Sequence, residues 1–121
     1  MNSGPQPPRR VLIVEDELMI FILLEQLLNE LGFEGVGPAT RFDVALDMAA
    51  TAQFDAAILD VNLDGKNSYP VALVLQQRGK PFIFATGYGA QGVREEFRHV
   101  PVLQKPFRIQ DLSSALRALS Q

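Results

Sequence analysis

Cysteine and tryptophan are absent from this chain of 121 residues, and its one histidine is His99. Without cysteine there are no disulfides, thiolate metal sites or cysteine nucleophiles, a composition compatible with the cytoplasmic location that we predict. Long apolar runs are also missing. The longest, Leu18 to Leu24, is bounded by Glu17 and Glu25 and is far shorter than the roughly 20 residues of a membrane helix. We therefore expect no membrane insertion.

Positive charge is scarce as well. Eleven basic residues against 14 acidic ones leave a formal net charge of −3, so the chain has no basic surplus for a phosphate backbone. We expect no binding to nucleic acid. The length and the 47% apolar content suffice for one hydrophobic core. Residues 1–8 are polar and proline-rich and lack the apolar segment of a signal peptide, which predicts a flexible tail before one domain at 9–121.

Short apolar segments alternate with longer segments of helical periodicity along the rest of the chain. This alternation is typical of βα units with a parallel sheet, and five repeats are present. Strands with apolar residues on both faces indicate central strands covered by helices on each side. The predicted strands are Val11 to Val14, Phe33 to Val36, Ala56 to Leu59, Pro81 to Ala85 and Val100 to Gln104. The predicted helices are Glu17 to Leu31, Arg41 to Ala52, Pro70 to Arg78, Ala90 to Phe97 and Ile109 to Leu119.

Polar residues capable of chemistry follow four of these strands directly. Because ligands of open parallel sheets bind outside the carboxyl ends of the strands, these side chains should converge in one pocket. Glu15 and Asp16 follow the first strand, Asp60 the third, Thr86 the fourth and Lys105 the fifth.

Three acidic side chains in one pocket require a compensating cation. Two like charges about 4 Å apart repel by roughly 4 kcal/mol at an effective dielectric near 20. All candidate ligands are oxygens, which favours Mg²⁺ over zinc or copper, and Mg²⁺ commonly completes its shell with phosphate oxygens. A carboxylate can attack phosphorus, so Asp60 is the predicted nucleophile, with Lys105 and Thr86 contacting phosphoryl oxygens.

The set Glu15-Asp16, Asp60, Thr86 and Lys105-Pro106 resembles the response regulator receiver domain over nearly the whole chain after the tail. The resemblance implies a flavodoxin-like (βα)5 doubly wound parallel sheet of order 2-1-3-4-5. It also implies that Asp16, Asp60 and the backbone carbonyl of Asn62 bind Mg²⁺ directly, while Glu15 acts through water. Asp60 is then the phospho-acceptor, and the Lys105–Pro106 peptide bond is cis.

Two positions depart from the usual receiver pattern. Gly65 matches the turn glycine after the acceptor, but Asp64 replaces the proline that often precedes it. Val102 stands where receivers commonly carry Tyr or Phe. The segment Phe84-Ala85-Thr86-Gly87-Tyr88 is similar to the FAT GUY subgroup of single-domain regulators, so Tyr88 is the candidate substitute aromatic. The segments Asp60 to Leu63 and Tyr69 to Ala72 are similar to receivers that work with HWE-type sensor histidine kinases, some of which serve the general stress response.

These features predict a two-component phosphorelay protein rather than an enzyme. We expect Asp60 to accept its phosphoryl group from a sensor histidine kinase, of HWE type, or from a histidine phosphotransfer protein. The 121 residues contain no predicted output domain, so the chain would act as a phosphate carrier, sink or adaptor, as a monomer or weak dimer.

Other functions remain open from the sequence. A haloacid dehalogenase-type phosphatase also combines a nucleophilic Asp, a Thr, a Lys and Mg²⁺, although Asn62 stands where that family needs a second acid. A receiver-like binding module that is never phosphorylated and a flavodoxin-type FMN carrier are further alternatives. The apolar segment Leu18 to Leu24 indicates either a partner surface or burial by neighbouring elements.

Overall fold

The computed structural model describes residues 9–87 and 93–119. The predicted tail, Tyr88 and the beginning of the predicted fourth helix lie outside these ranges. The described elements, in chain order, are β1 (Arg9–Val14), α1 (Leu18–Glu30), β2 (Phe33–Ala39), α2 (Phe42–Thr51), β3 (Ala56–Asp60), β4 (Asn62–Leu63), β5 (Lys66–Asn67), α3 (Tyr69–Gln77), β6 (Phe82–Thr86), a 3-10 helix (Glu95–Phe97), β7 (Val102–Gln104) and α4 (Ile109–Leu119).

Five parallel strands form the main sheet in the order β2-β1-β3-β6-β7. Among the five predicted strands this is the order 2-1-3-4-5, so the flavodoxin-like prediction is confirmed. β1 lies between two neighbours, since Val11 pairs with Gly35 on one side and with Ala56 on the other. β3 and β6 are central too, which agrees with their apolar residues on both faces.

Two hydrophobic clusters cover the two faces of the sheet. Alternate residues of one strand enter different clusters: Leu12 and Val14 pack with α2 and α3, whereas Val11 and Ile13 pack with α1 and α4. This alternation follows from the two-residue period of a strand. The result is the doubly wound arrangement, in which each helix pair buries its apolar face against the sheet.

The predicted helix Ala90 to Phe97 is wrong within the described residues. The part from Val93 onward contains only the three-residue 3-10 helix, with Val93 and Phe97 buried. Arg94 has φ −58° and ψ 147°, an extended conformation that an α-helix cannot contain. The last helix has the predicted bounds, and the other element boundaries differ from prediction by at most three residues, chiefly because β2 continues to Ala39 and β7 begins at Val102.

A two-stranded hairpin after β3 was not predicted. β4 and β5 pair antiparallel, Asn62 with Asn67 and Leu63 with Lys66, around a two-residue turn. Both turn residues have positive φ, 55° at Asp64 and 77° at Gly65, as a type I′ turn requires. Asp-Gly is the strongest short hairpin signal in a sequence, so the residue pair itself carried the missed information.

Helix α1 combines burial and exposure. Phe21, Leu24 and Leu28 are buried, but Leu18 is 61% and Met19 78% exposed. The exposed apolar side chains that a partner surface would need are therefore Leu18 and Met19 at the start of this helix, with the less exposed Ile22 and Leu23 about one turn further on. None of the helices in residues 9–87 and 93–119 is both long and apolar enough to cross a bilayer.

Two leucines provide a matched test of the core. Leu59 on β3 is fully buried, whereas Leu73 on α3 is half exposed. We expect Leu59→Ala to lower the free energy of unfolding by about 2–5 kcal/mol, because it removes buried methyl groups and leaves a cavity. Leu73→Ala should cost well under half as much. Urea unfolding of both variants measures the difference, and equal losses would contradict the described packing.

Candidate functional site

The predicted site residues meet at the carboxyl ends of four parallel strands. Glu15 and Asp16 follow β1, Asp60 ends β3, Thr86 ends β6 and Lys105 follows β7. The strand register brings them level, since Asp60 pairs with Ala85 and Thr86 pairs with Gln104. The topology of the sheet thus brings together residues that lie up to 90 positions apart in the sequence.

Three carboxylates form a compact group at this edge. Glu15, Asp16 and Asp60 each offer one oxygen, and these oxygens all lie within 4.8 Å of one another. Glu15 is 1% and Asp60 8% exposed, whereas Asp16 is open to solvent. Two of the three negative charges are thus placed where water screens them weakly, and they need a positive partner nearby.

Lys105 supplies that positive charge. Its Nζ donates hydrogen bonds to Glu15 Oε1 at 3.0 Å and to Asp60 Oδ2 at 3.1 Å. Its backbone N–H donates to the carbonyl oxygen of Thr86 at 2.9 Å, which fixes the start of the loop after β7 against β6. The Lys105–Pro106 peptide bond is cis, as the resemblance implied.

The pKa values of Glu15 and Lys105 reflect this crowding of charged groups. Burial raises the pKa of Glu15 to about 7, and the negative charge of Asp60 adds to the effect despite the hydrogen bonds from the Glu17 N–H and the Lys105 ammonium. Burial alone would lower the pKa of Lys105, but its hydrogen bond to Glu15 and the two negative charges outweigh burial and raise that pKa. The surroundings therefore favour the charged ammonium of Lys105 and disfavour the charged form of the buried Glu15.

Each carboxylate also accepts a backbone N–H. Glu17 donates to Glu15 Oε2 at 3.1 Å, Asn62 donates to Asp60 Oδ1 at 3.2 Å, and Asp64 donates to Asp16 Oδ2 at 3.1 Å. The sequence reasoning missed the last of these contacts, because it did not foresee the hairpin that brings Asp64 beside Asp16. Asn62 is exposed next to the acids, and the ligand role of its carbonyl remains a prediction.

Thr86 lies beside this group with its side chain buried, 3% exposed, at the end of β6. Ala85, the residue before it, pairs with Asp60, so Thr86 stands one position beyond the level of Asp60 on the neighbouring strand. A buried hydroxyl at a strand end next to a carboxylate is suited to donate to an oxygen ligand there. Its contact with a phosphoryl group stays a prediction.

The donor set suits a hard cation. The clustered ligands are carboxylate oxygens, and within the described residues neither cysteine nor histidine joins them. Mg²⁺ is usually bound through one or two carboxylates and keeps waters and phosphate oxygens in its shell. Exposed Asp16 and Asp60, whose side chain keeps 11% of its surface exposed, can offer such ligands without closing the shell. The residues present therefore fit Mg²⁺.

An aromatic group links helix α3 to the segment after β6, near the position of Val102. Tyr69 stacks on Phe97 with ring centroids 5.1 Å apart and meets Phe84 edge-on at 5.8 Å. Its hydroxyl accepts the Arg94 N–H at 2.8 Å. Val102 packs against the hydrophobic cluster that contains these rings and pairs with Phe84 on the neighbouring strand, at the position where receivers often have an aromatic residue. The proposed substitute, Tyr88, lies outside the described residues.

Comparison with known proteins gives the family. The model of the response regulator receiver domain matches residues 11–117, and the chain belongs to this family, whose members are signalling modules of two-component systems. The matched residues include the five strands of the main sheet, with β1 from Val11 onward, the acid group and Lys105.

Several relatives are similar over most of the chain. SdrG from Sphingomonas melonis Fr1 is 43% identical, with a TM-score of 0.86 and coverage of 97% of this chain and 100% of SdrG. PhyR from Brucella abortus is 28% identical, with a TM-score of 0.80 and coverage of 94% of this chain and 48% of PhyR. The transcriptional regulatory protein PdtaR from Mycobacterium tuberculosis is 34% identical over 113 residues, which are 90% of this chain and 55% of PdtaR. The chain thus spans about half the length of the curated relatives it matches.

The raised pKa of Glu15 predicts a pH dependence of stability in metal-free protein. Between pH 4.5 and about 7 the folded state binds more protons at Glu15 than the unfolded state, so the free energy of unfolding should fall as the pH rises through this range. Below this pH range the stabilising contribution of protonated Glu15 is fully present, and above the range Glu15 causes no further loss of stability. Urea unfolding in chelator should give a shallower fall for Glu15→Gln. An identical slope in both proteins would contradict the assignment.

Proposed function

We propose that this chain accepts a phosphoryl group on Asp60 in a Mg²⁺-dependent reaction, with phosphohistidine of a sensor kinase or phosphotransfer protein as the donor. The observation that carries the proposal is the bridge of Lys105 Nζ between Glu15 and Asp60, 3.0 and 3.1 Å away, inside a group of three carboxylates. A purely structural ion pair would need one acid, whereas a transferred phosphoryl group needs a nucleophile, cation ligands and a fixed positive charge.

Asp60 is held as a nucleophile by contacts to both of its oxygens. Asn62 N–H binds Oδ1, and Lys105 binds Oδ2. An Asp60 oxygen would attack phosphorus as the P–N bond to the donor histidine breaks, and the imidazole nitrogen keeps the bonding electron pair. No proton needs to leave Asp60, because the carboxylate is the reacting form. The chemistry therefore depends on orientation and on charge neutralisation.

Asp16, Asp60 and the carbonyl of Asn62 would hold Mg²⁺ directly, and Glu15 would act through water. The cation supplies neutralisation of the charge on the transferring phosphoryl oxygens. Lys105 is already directed at Asp60 and needs only to turn towards a phosphoryl oxygen once Asp60 is modified. Thr86 would donate its hydroxyl to another oxygen from the end of β6.

Known relatives support this assignment. SdrG has a structure described as its BeF3-activated conformation, and over 91% of this chain and 94% of SdrG the two are 45% identical, with a TM-score of 0.78. We infer that this chain responds to an acyl-phosphate mimic in the same way. We further propose that it acts as a phosphate carrier, sink or adaptor, and that its kinase is of HWE type. Its likeness to SdrG over the whole of that chain supports the first of these inferences.

Intact mass after incubation with acetyl phosphate and Mg²⁺ tests the acceptor. We expect one labile phosphoryl adduct on the unaltered chain and none on Asp60→Asn, because the amide is not a nucleophile towards phosphorus. Asp47→Asn is a matched control, since Asp47 is an exposed aspartate on α2 away from the strand ends. It should be modified like the parent chain.

A chelator should abolish the adduct, and added Mg²⁺ should restore it. If acetyl phosphate leaves the parent chain unmodified, a purified histidine kinase is the second donor to be tried. Failure with both donors would favour the unphosphorylated binding module. An adduct that survives Asp60→Asn would instead place the acceptor elsewhere.

The exposed apolar start of α1 is our candidate surface for the histidine-bearing partner. Leu18 and Met19 follow the acid group by two or three residues, so a partner that contacts them can also reach Asp60. Large exposed apolar side chains next to a reactive site are typical of an interaction surface. Leu73 is comparably apolar and 51% exposed, but it lies on α3, which covers the opposite face of the sheet.

A lysine substitution on each of these two helices distinguishes an effect on partner docking from an effect on the phosphorylation of Asp60. We expect Met19→Lys to slow phosphotransfer from a histidine kinase about tenfold or more, through loss of an apolar contact, while phosphorylation by acetyl phosphate stays within twofold of the parent. Leu73→Lys should leave both rates near the parent values. If Met19→Lys slows both donors equally, the residue acts on the site itself and the docking assignment fails.

A further inference from the structure

Asp16 differs from the other two acids in how it is held. Glu15 and Asp60 are buried and bound by the Lys105 ammonium, whereas Asp16 is exposed. Its Oδ2 accepts the backbone N–H of Asp64 at 3.1 Å, a contact across 48 residues of sequence. An exposed carboxylate otherwise rotates freely about its side-chain bonds, so this contact restricts where its second oxygen can point.

The β4–β5 hairpin that presents this N–H is anchored on several sides. Leu63 is fully buried, and the Ser68 N–H donates to the carbonyl oxygen of Val61 at 2.8 Å, closing the base of the hairpin. The Lys66 ammonium lies 5.2 Å from the centre of the Phe42 ring, which joins the outer strand to the start of α2. The donor is therefore carried by a supported element rather than by a loose loop.

The turn conformation determines that an N–H is available and where it points. Asp64 has φ 55° and Gly65 has φ 77°, the left-handed pair of a type I′ turn. Proline has no N–H and its ring holds φ near −65°, so it can neither make this contact nor adopt this turn. Aspartate, asparagine and glycine can do both.

We propose that the β4–β5 hairpin is a positioning element for the cation site, in which the backbone N–H of Asp64 orients the Asp16 carboxylate for Mg²⁺. The inference rests on the proposed function in one respect, that Asp16 is a Mg²⁺ ligand. The Asp64 N–H would contact a ligand of the metal rather than the metal itself, and hydrogen-bond partners of this kind commonly change metal affinity by a factor of 10 or more. The Asp64 side chain has no part in the contact, since the backbone is the donor.

The decisive variant replaces the N–H of residue 64 by oxygen and leaves the turn intact. An α-hydroxy acid incorporated by nonsense suppression converts the Leu63–Asp64 peptide bond into an ester. We expect the dissociation constant for Mg²⁺, measured from amide shifts in a Mg²⁺ titration, to rise about five- to tenfold. The rate with acetyl phosphate at saturating Mg²⁺ should stay within twofold, because the ligand is still present once the site is filled.

Three further proteins serve as controls. An ester at the next bond, Asp64–Gly65, measures the general effect of an ester in this turn and should leave Mg²⁺ affinity within twofold of the parent. Asp64→Asn and Asp64→Gly retain both the N–H and the turn, so they should behave in the same way. Equal weakening by both esters, or loss of affinity in Asp64→Gly, would overturn the proposal.

The two hypotheses fail differently. If the parent chain neither binds Mg²⁺ nor becomes phosphorylated, the proposed function is wrong. If the parent binds Mg²⁺ and is phosphorylated, but the Leu63–Asp64 ester binds Mg²⁺ as tightly, the positioning role alone is wrong. Thermal unfolding of each ester protein verifies that the comparison is made between folded proteins.

Discussion

The ion pair of Lys105 with Glu15 and Asp60 is the interaction on which the site depends. Two buried carboxylates next to a third would repel one another strongly in a region that water reaches poorly. The single ammonium between them offsets part of this cost but not all of it, as the raised pKa of Glu15 indicates. A site left with excess negative charge attracts a cation, and a cation with open positions attracts phosphate oxygens.

This arrangement needs a parallel sheet. Only when strands run in the same direction do their carboxyl ends meet at one edge, so that residues 15, 60, 86 and 105 become neighbours. The two hydrophobic clusters on the faces of the sheet hold the strands in register, and their burial is the source of the rigidity that the polar edge requires. Stability and reactivity thus occupy different parts of the same strands: apolar residues within, and charged residues at the ends.

The hairpin after β3 adds a second constraint to the same edge. Its turn residues, Asp64 and Gly65, are far from Asp16 in sequence, yet the hairpin delivers a backbone donor to that carboxylate. One of the positions at which this chain departs from the usual receiver sequence, Asp64, is therefore a position where its backbone makes a contact that proline could not make. A change that looks minor by residue type can alter the hydrogen bonding of a site through the main chain.

Much of this protein could be predicted from sequence because the responsible forces are local or periodic. Apolar segments of strand length, the helical periods between them and the acids at strand ends indicated the sheet and the residues of the site. The failures came where the outcome depends on tertiary contacts. Val93 and Phe97 have apolar spacing compatible with a helix, but with Phe97 packed against Tyr69 and Arg94 extended, the described part of this segment, from Val93 onward, contains only a 3-10 turn. The burial of Glu15, its bond to Lys105 and the reach of Asp64 to Asp16 were likewise decided by the folded chain, since a sequence carries no distances between segments that meet only after the sheet has formed.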